Sequence, residues 1–329
     1  MKRLGADIVF LHSEDLPEAH PSYRYSMLLP AQALGARVVR VPSEPDVEAF
    51  LAGLEPEGIV VAKPVTNDRA VTVAEAARAR GLPVLSWTCD LPVNEAAAFR
   101  QRRLLAASDT VIVQTAAMAD SLAGTLRAPV EVIEECLEFP PGTVQFAPPE
   151  AATRLLWYGG ISNFDTLGPM VHQLAGLTRR RLALCLVCAV PPRDLLALRD
   201  AGRWPQHIAL RVLPYSAGNQ LRALEDCDIV LVPSSDEPSK QLKGHNRVST
   251  ALNAGRAVIA HPLPPYRELG AYITLATDMA EGMEALLADP AAALARTRQG
   301  QAAVIARFGP EAVAAKWRAV IGATLARRG

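Results

Sequence analysis

Short apolar runs recur along this 329-residue chain, and segments compatible with helices lie between them. Each run is brief and mostly β-branched, which is typical of a parallel strand that is buried on both faces. In the first half we expect strands at Asp7–Leu11, Arg37–Val41, Gly58–Ala62, Pro83–Trp87, Thr110–Val113 and Val130–Ile133. Helices are expected between them at Ala70–Arg80, Glu95–Ala106 and Ala116–Leu126.

The second half repeats this rhythm. Strands are expected at Arg154–Tyr158, Leu182–Cys188, Ile208–Leu213, Ile229–Pro233, Ala257–Ala260 and Tyr272–Leu275. Helices are expected at Thr166–Leu177, Asn219–Glu225, Asn246–Ala254 and Met279–Leu287, and the chain is helical after Pro290 apart from a break at Phe308-Gly309-Pro310. Alternating strands and helices indicate βαβ units with a parallel sheet. The sequence therefore predicts an α/β protein with two Rossmann-like domains that face a cleft.

The domain boundary is predicted where proline and glycine crowd together, from Pro140-Pro141-Gly142 to Pro148-Pro149. A chain of this length exceeds the roughly 250–300 residues that one hydrophobic core supports. We expect an N-terminal domain over residues 1–145 and a C-terminal domain over residues 146–308, with a final helix over residues 309–329.

Composition narrows the function classes. The chain has 34 basic and 34 acidic residues, and this balance argues against a nucleic-acid partner, which is normally held by a net-basic surface. Its five scattered cysteines fit a reducing compartment better than a disulfide framework. The sequence has no apolar run near the roughly 20 residues that a membrane span needs, and Ile8–Leu11 is too short for a signal peptide core. We expect a cytoplasmic protein.

Two loops at the predicted carboxyl ends of strands carry candidate chemistry, because open parallel sheets bind ligands at that edge. The first contains Gly159-Gly160, a pair that lets the backbone approach a ligand closely, although a plain tight turn explains it equally well. The second runs from Asp236 to Arg247 and places Lys240, Lys243 and Arg247 before a helix. Helix amides and flanking cations together form a pyrophosphate site, whereas most charged loops are simply solvated.

Other patterns indicate structure rather than chemistry. Cys185 and Cys188 have a CxxC spacing, but inside a strand their thiols point to opposite faces, which disfavours a metal or redox pair. The arginines Arg100, Arg102 and Arg103 could face anionic lipid, although a solvated helix face is the simpler interpretation.

The second half resembles the nucleotide-binding half of GT-B glycosyltransferases, close to the retaining family with the group 1 transferase domain. The similarity is carried in order by Leu155–Gly160, by Leu213-Pro214-Tyr215, by Cys227–Ser234, by Ala251–Ala260 and by Pro265–Leu269. The terminal helix resembles the helix that crosses back to the first domain in that fold. Two glutamates of the family, eight positions apart, are replaced here by Leu242 and Thr250 when the chains are aligned on Ala254-Gly255.

The resemblance implies a transferase that moves a sugar from a nucleotide-sugar donor to the hydroxyl of a sugar or glycolipid acceptor, in the synthesis of surface polysaccharide or glycoconjugates. It implies no bound metal and no cofactor, with peripheral contact to the inner face of a membrane as one arrangement. Its donor- and phosphate-binding candidates are Gly159, Gly160, Asn163, Tyr215, Ser239, Lys240, Lys243, Asn246, Arg247 and Thr250. Among them, Lys243 and Arg247 are predicted to clamp the phosphates with help from the glycine turn.

The first half offers candidates by position alone. Asp90 and Glu95 follow the fourth strand and are the catalytic candidates, with Asp90 as base for the acceptor hydroxyl, or alternatively as the cap of the next helix. Arg24 and Lys63 lie on the equivalent edge and are candidates for the acceptor side. Two alternatives remain open: a nucleotide-sugar epimerase on the same frame, and a non-catalytic protein that binds nucleotide sugar. A two-lobed solute-binding protein is disfavoured because no export signal is recognised.

Overall fold

The computed structural model describes residues 8–13, 21–62, 67–92, 94–147 and 152–327. These residues form two compact units. The first unit comprises the described residues up to Glu138, the short segment Leu242–Gly244 and the residues from Arg307 onward. The second unit comprises Phe139–Gln241 and His245–Ala306.

A six-stranded parallel sheet forms the centre of the first unit, in the order β2-β1-β3-β4-β5-β6. Its strands are β1 (Ile8–His12), β2 (Arg37–Arg40), β3 (Gly58–Ala62), β4 (Val84–Thr88), β5 (Thr110–Val113) and β6 (Val130–Val132). Helices connect them, namely α1 (Pro21–Tyr23), α2 (Leu29–Leu34), α3 (Val47–Leu54), α4 (Arg69–Ala79), α5 (Glu95–Ala107) and α6 (Ala116–Leu122). One turn of π-helix, Arg24–Leu28, joins α1 to α2.

The second unit is built in the same way around a parallel sheet in the order β12-β11-β10-β7-β8-β9. Its strands are β7 (Thr153–Tyr158), β8 (Leu182–Cys188), β9 (Ile208–Pro214), β10 (Ile229–Val232), β11 (Ala257–Ala260) and β12 (Thr274–Leu275). Its helices are α7 (Leu167–Ala175), α8 (Arg193–Asp200), α9 (Ala217–Asp226), α10 (Pro238–Gln241), α11 (Asn246–Asn253), α12 (Pro264–Arg267), α13 (Met279–Ala288) and α14 (Pro290–Phe308). A 3₁₀-helix, Ile161–Thr166, precedes α7.

The last helix, α15 (Pro310–Ala326), belongs to the first unit. Its buried Trp317 meets the ring of Phe10 edge-on, with 5.4 Å between the ring centroids. Val313 and Ile321 enter the same apolar cluster, which also contains Met27 of the π-helix. The chain therefore ends by packing on the sheet with which it began, as the resemblance implied.

Both predicted parallel sheets are confirmed, and most strand ends lie within one or two residues of the prediction. Two helical predictions need correction, and several helices were not predicted. The predicted helix Ala116–Leu126 ends at Leu122, because Gly124 takes a left-handed conformation with φ of 74°. The predicted Thr166–Leu177 helix is preceded by the 3₁₀-helix and ends at Ala175. The helices that were not predicted are α1, α2, α3, α8, α10 and α12.

In the described part of the chain, no helix combines the length and the apolar character that crossing a membrane would require.

Candidate functional site

The Gly159-Gly160 turn follows β7 at the carboxyl edge of the second unit's sheet. A Cβ atom on Gly159 would lie 3.0 Å from the Trp157 side chain, so this position has little room for anything larger than glycine. A Cβ atom on Gly160, by contrast, would meet nothing within 4 Å. The turn therefore exposes backbone to solvent at Gly160, and the amide of Asn163 bonds back to the Gly160 carbonyl at 3.0 Å.

Helix α11 begins at the same edge, after β10. The Nη2 atom of Arg247 reaches the carbonyl of Pro233 at 3.4 Å, while its Nη1 atom is shielded from solvent and makes no hydrogen bond to any described residue. The Tyr158 hydroxyl, at the end of β7, donates to the carbonyl of Arg247 at 2.6 Å and also bonds Thr250. Burial raises the pKa of Tyr158, which keeps this hydroxyl a donor. One guanidinium N–H group is thus left unsatisfied at the amino end of a helix.

His245 and Glu268 complete this end of α11. The Nε2 atom of His245 lies 3.3 Å from Glu268 Oε2, so a carboxylate from the turn after α12 is held beside the first residues of the helix. Asn246 is the first residue of α11 and is half-buried. Thr250, by contrast, is buried in the helix.

The ammonium of Lys240 is already neutralised within the second unit. It lies 2.9 Å from each carboxylate oxygen of Asp165 and donates to the carbonyl of Ser162 at 3.1 Å. Lys240 is only 5% exposed, although it sits in a loop region that the sequence marks as charged and solvated. Its neighbour Ser239 is exposed, and Tyr215 is half-buried after β9. The structure thus gives Lys240 a carboxylate partner, which makes it less suited to a phosphate, while phosphate binding by Ser239 and Tyr215 stays a prediction.

In the first unit, Lys243 contacts Asp90. Its ammonium lies 2.9 Å from Asp90 Oδ1, although the two residues are 153 positions apart in the sequence. Their side chains are 35% and 39% exposed respectively, so solvent screens the pair and a ligand can reach both groups. The catalytic candidate and one half of the predicted phosphate clamp are therefore direct partners.

Asp90 does not cap the next helix. Asn94 holds that position, because its side chain accepts a hydrogen bond of 2.8 Å from the amide of Ala97. Glu95 is exposed in the first turn of α5, where a negative charge stabilises the amino end of the helix. The capping alternative for Asp90 is wrong, and Asp90 is left for other contacts.

Two more polar side chains lie near Asp90. Gln114, directly after β5, donates through Nε2 to the carbonyl of Cys89. Glu135, three residues after β6, has its Oε2 atom shielded from solvent. Burial and the neighbouring charge of Asp90 raise the pKa of Glu135 to about 8, while Lys243 opposes that shift. The carboxyl edge of this sheet therefore carries an ionised carboxylate, an ammonium and a carboxyl group that holds its proton near neutral pH.

The acceptor-side candidates have different outcomes. Arg24, in the π-helix, is buried and pairs with Glu138 through both Nε and Nη2, the second contact being 3.1 Å. Lys63 lies outside the described residues. Arg103 donates to Glu75 and Asp68, which supports the solvated helix face over a lipid contact. The two strand cysteines Cys185 and Cys188 are both free thiols.

Neither a protein-family model nor any protein of curated function matches this sequence. Solved structures do match the fold. An α,α-trehalose-phosphate synthase (UDP-forming) from Burkholderia vietnamiensis is 11% identical, with a TM-score of 0.66 over 98% of this chain and 100% of its own. TarM is 12% identical, with a TM-score of 0.65 over 84% of this chain. The pneumococcal O-GlcNAc transferase GtfA, in complex with UDP and GlcNAc, is 14% identical, with a TM-score of 0.59 over 85% of this chain.

The chain has the GT-B fold. It spans somewhat over half of two of these neighbours, 57% of TarM and 60% of GtfA, and the whole length of the synthase. A mutant of S. aureus TarM has also been solved in complex with fondaparinux, α-GlcNAc-glycerol and UDP. At such low sequence identities the likeness establishes the fold, and chemistry has to be argued from the residues of this chain.

Glu135 and Glu268 are two further candidate site residues that the sequence patterns did not predict. Glu268 was within reach, since it lies in the Pro265–Leu269 piece that carries the resemblance. Glu135 had no comparable signal, because it stands in the polar run Glu134-Glu135 after a three-residue strand. Its neighbour Glu134 faces elsewhere and is paired with Arg307 and Lys316.

The two units thus carry different chemistry. The second unit offers an open glycine turn, helix amides and an unsatisfied guanidinium, which suit an anion. The first unit offers paired carboxyl groups and an ammonium, which suit hydrogen bonding and proton transfer. In the described residues, no three His, Cys, Asp or Glu side chains gather in a way that could hold a metal ion.

Proposed function

We propose that this chain is a glycosyltransferase that moves a sugar from a nucleotide-sugar donor to a hydroxyl group of a sugar-containing acceptor. The observation that carries the proposal is the unsatisfied Nη1 atom of Arg247 at the amino end of α11. An N–H group held out of water without an acceptor is costly, and a pyrophosphate oxygen would satisfy it. The GT-B fold, shared with a transferase solved with UDP, supports the same assignment.

We assign the donor phosphates to the second unit. Arg247 presents a planar fork that matches two phosphate oxygens, and the first amides of α11 add partial positive charge. The backbone at Gly160 has open space beside it, which suits the close approach of a phosphate or a sugar. Asn163, Asn246 and the exposed Ser239 offer further polar groups on the loops of that unit. Lys243, with a third of its side chain exposed, stays a predicted phosphate-binding cation.

We assign the acceptor hydroxyl to Asp90. A general base needs a carboxylate that stays ionised and that the substrate can reach. The Lys243 ammonium at 2.9 Å stabilises the ionised form of Asp90, and 39% exposure of its side chain leaves it reachable. Surface polysaccharide or glycoconjugate synthesis is the pathway class that we propose for such an acceptor.

A non-catalytic nucleotide-sugar-binding protein is the second candidate, favoured by the residues at two positions. Leu242 packs against the apolar cluster around Met118, and Thr250 is buried beside Tyr158. Neither residue can supply a carboxylate, which the resembling family carries at both positions. Glu268, held next to α11 by His245, provides a carboxylate from a different place.

A panel of UDP-, GDP-, ADP-, dTDP- and CMP-sugars tests the proposal, with binding followed by calorimetry and turnover followed by proton NMR. We expect one donor to bind with a Kd in the range of about 1 μM to 1 mM and to be hydrolysed slowly without acceptor. Release of nucleoside diphosphate, or of CMP from a CMP-sugar, supports a transferase, and an isomerised sugar supports the epimerase alternative. Binding with no turnover, even with sugar acceptors added, supports the non-catalytic protein. If none of the nucleotides binds, the proposed function is wrong.

A further inference from the structure

Two buried oxygen atoms in the first unit lack a hydrogen-bond donor. Gln114 is 3% exposed, and because its Nε2 atom donates to the carbonyl of Cys89, its Oε1 atom is left as the acceptor. That Oε1 atom and the Oε2 atom of Glu135 are both shielded from solvent and make no hydrogen bond to any described residue. Each unsatisfied acceptor costs free energy, so two together require an explanation.

The two oxygen atoms face one spot, which Gly244 fills. A Cβ atom built on Gly244 would lie 2.6 Å from Gln114 Oε1 and 3.1 Å from Glu135 Oε2. A larger residue there would displace the end of the Gln114 side chain. The neighbouring carbonyl of Leu242 accepts from Thr115 Oγ1 at 3.4 Å. The Leu242–Gly244 segment therefore packs directly on the two acceptors, and Lys243 stands in its middle.

A proton on Glu135 adds a hydrogen-bond donor beside the two unsatisfied oxygen atoms, because a neutral carboxyl group is a donor as well as an acceptor. The charged groups that act on this carboxyl group are Asp90, which disfavours its ionisation, and Lys243, which favours it. Glu134 on the same segment is engaged with Arg307 and Lys316 instead. Burial and Asp90 together outweigh Lys243 and raise the pKa of Glu135 to about 8, so this carboxyl group is mostly neutral at pH 7.

We propose that Glu135 is a proton-carrying positioning residue, whose neutral carboxyl group supplies a donor beside the buried Gln114 oxygen and leaves Asp90 as the carboxylate that balances the Lys243 ammonium. When Glu135 loses its proton to solvent, a second carboxylate competes for the same ammonium, and the cluster gains a net negative charge. An anionic ligand then meets repulsion at Lys243. The ligand part of this inference rests on the proposed function, in which Lys243 assists the donor phosphates.

The proton itself is tested without any ligand. Specific ¹³C labelling of glutamate carboxyl groups, with Glu135→Gln to assign the resonance, should show one carboxyl group of the wild-type protein titrating near pH 8. A midpoint for Glu135 near its ordinary value of 4.5 overturns the proposal. Glu131→Gln, on β6, is the matched control and should leave that resonance in place.

Urea unfolding at several pH values gives a second, independent readout. Because the folded protein binds the Glu135 proton more tightly than the unfolded chain, the stabilising effect is complete below pH 4.5 and is lost as pH rises through about 8. Between pH 4.5 and about 8, the ratio of the wild-type unfolding constant to that of Glu135→Gln should therefore rise by up to about tenfold per pH unit. A ratio that does not change with pH overturns the proposal.

The positioning role is tested with UDP as the probe, by calorimetry from pH 6.5 to 9.5. We expect wild-type affinity, relative to that of Glu135→Gln, to fall about tenfold between pH 7 and pH 9.5, since one charge-assisted contact is weakened. Identical pH profiles for both proteins mean that Glu135 does not act on Lys243. If neither protein binds UDP or another nucleotide, the proposed function fails, while the titration and unfolding results still decide whether Glu135 carries the proton.

Discussion

The hydroxyl group of Tyr158 donates a hydrogen bond of 2.6 Å to the backbone carbonyl of Arg247. It ties the last residue of β7 to the first turn of α11, two elements that are 89 residues apart in the sequence. Tyr158 is 6% exposed, so water cannot easily replace its hydroxyl group. This bond fixes the backbone from which the Arg247 side chain projects.

We predict that Tyr158→Phe lowers the free energy of unfolding by about 1–2 kcal/mol, because a buried hydrogen bond to the carbonyl of Arg247 is lost. Urea unfolding monitored by circular dichroism measures the loss. Tyr272→Phe is the matched control, since its hydroxyl group makes no hydrogen bond to a described residue and its removal should change the stability little. Equal stabilities of the two variants would contradict the importance of this bond.

Gly255, which directly follows Ala254 at the end of α11, permits a close backbone contact. Its φ is 71°, and a Cβ atom there would lie 2.6 Å from the carbonyl oxygen of Thr143 and 2.6 Å from the Cα atom of Val144. Gly255→Ala should therefore destabilise the protein by about 2–5 kcal/mol, combining left-handed strain with a clash against backbone that cannot rotate away.

Gly202 separates the two contributions. Its φ is 68°, but a Cβ atom there would meet nothing within 4 Å. Gly202→Ala should cost only the conformational strain of about 1–2 kcal/mol. Thermal or urea unfolding of the two variants checks the difference, and similar losses would mean that the Thr143 contact is not tight in solution.

The strands were predictable because the signal for each one, a short apolar run, lies within its own residues. Gly58–Ala62, Thr110–Val113, Leu182–Cys188 and Ala257–Ala260 have the predicted ends, since their apolar runs stop at polar or turn-forming residues. Helices α3 and α8 escaped prediction because each has only eight residues, with a single fully buried residue in each. The end of α6 depends on the backbone conformation of Gly124, which a composition pattern does not encode.

For the candidate site, the helices and strands could be predicted from the sequence, but the contacts between their side chains could not. That Arg247 starts a helix after a strand follows from local sequence, and the carboxyl-edge rule then places it correctly. The pairs Lys243–Asp90 and Lys240–Asp165 depend on which segments the fold brings together, over 153 and 75 positions. No spacing rule reaches that far. The segment was therefore predicted to bind phosphate through all its cations, although Lys240 is buried and paired with Asp165.

The Lys240–Asp165 pair should respond unequally to the loss of either partner. Lys240 is 5% exposed, whereas the Asp165 side chain is 48% exposed. Asp165→Asn leaves a buried ammonium without its counter-ion and should cost about 3 kcal/mol, while Lys240→Met leaves a carboxylate that water can solvate and should cost about 1–2 kcal/mol. Urea unfolding of both variants and of the double variant measures the asymmetry and the coupling.

Nucleotide binding distinguishes a structural Lys240 from a phosphate ligand. We expect Lys240→Met to bind nucleoside diphosphates within about twofold of the wild type, because Asp165 already neutralises the ammonium. A tenfold loss of affinity in a folded Lys240→Met protein would instead restore Lys240 to the phosphate site.

Arg247 and Lys243 are the cations on which the proposed donor site depends most. Arg247→Ala and Lys243→Ala should each weaken the binding of nucleoside diphosphate about ten- to a hundredfold, since one charge-assisted contact is worth roughly 1.5–3 kcal/mol. Arg247→Lys should not restore affinity, because a point charge cannot reproduce the planar fork that engages two phosphate oxygens.

Arg199, paired with the adjacent Asp200 on the surface of α8, provides the control, and Arg199→Ala should bind as the wild type does. Calorimetric titration of UDP, GDP and ADP into the four variants measures these differences. Wild-type affinity in both Arg247→Ala and Lys243→Ala, with the fold intact by circular dichroism, would show that the donor phosphates bind elsewhere.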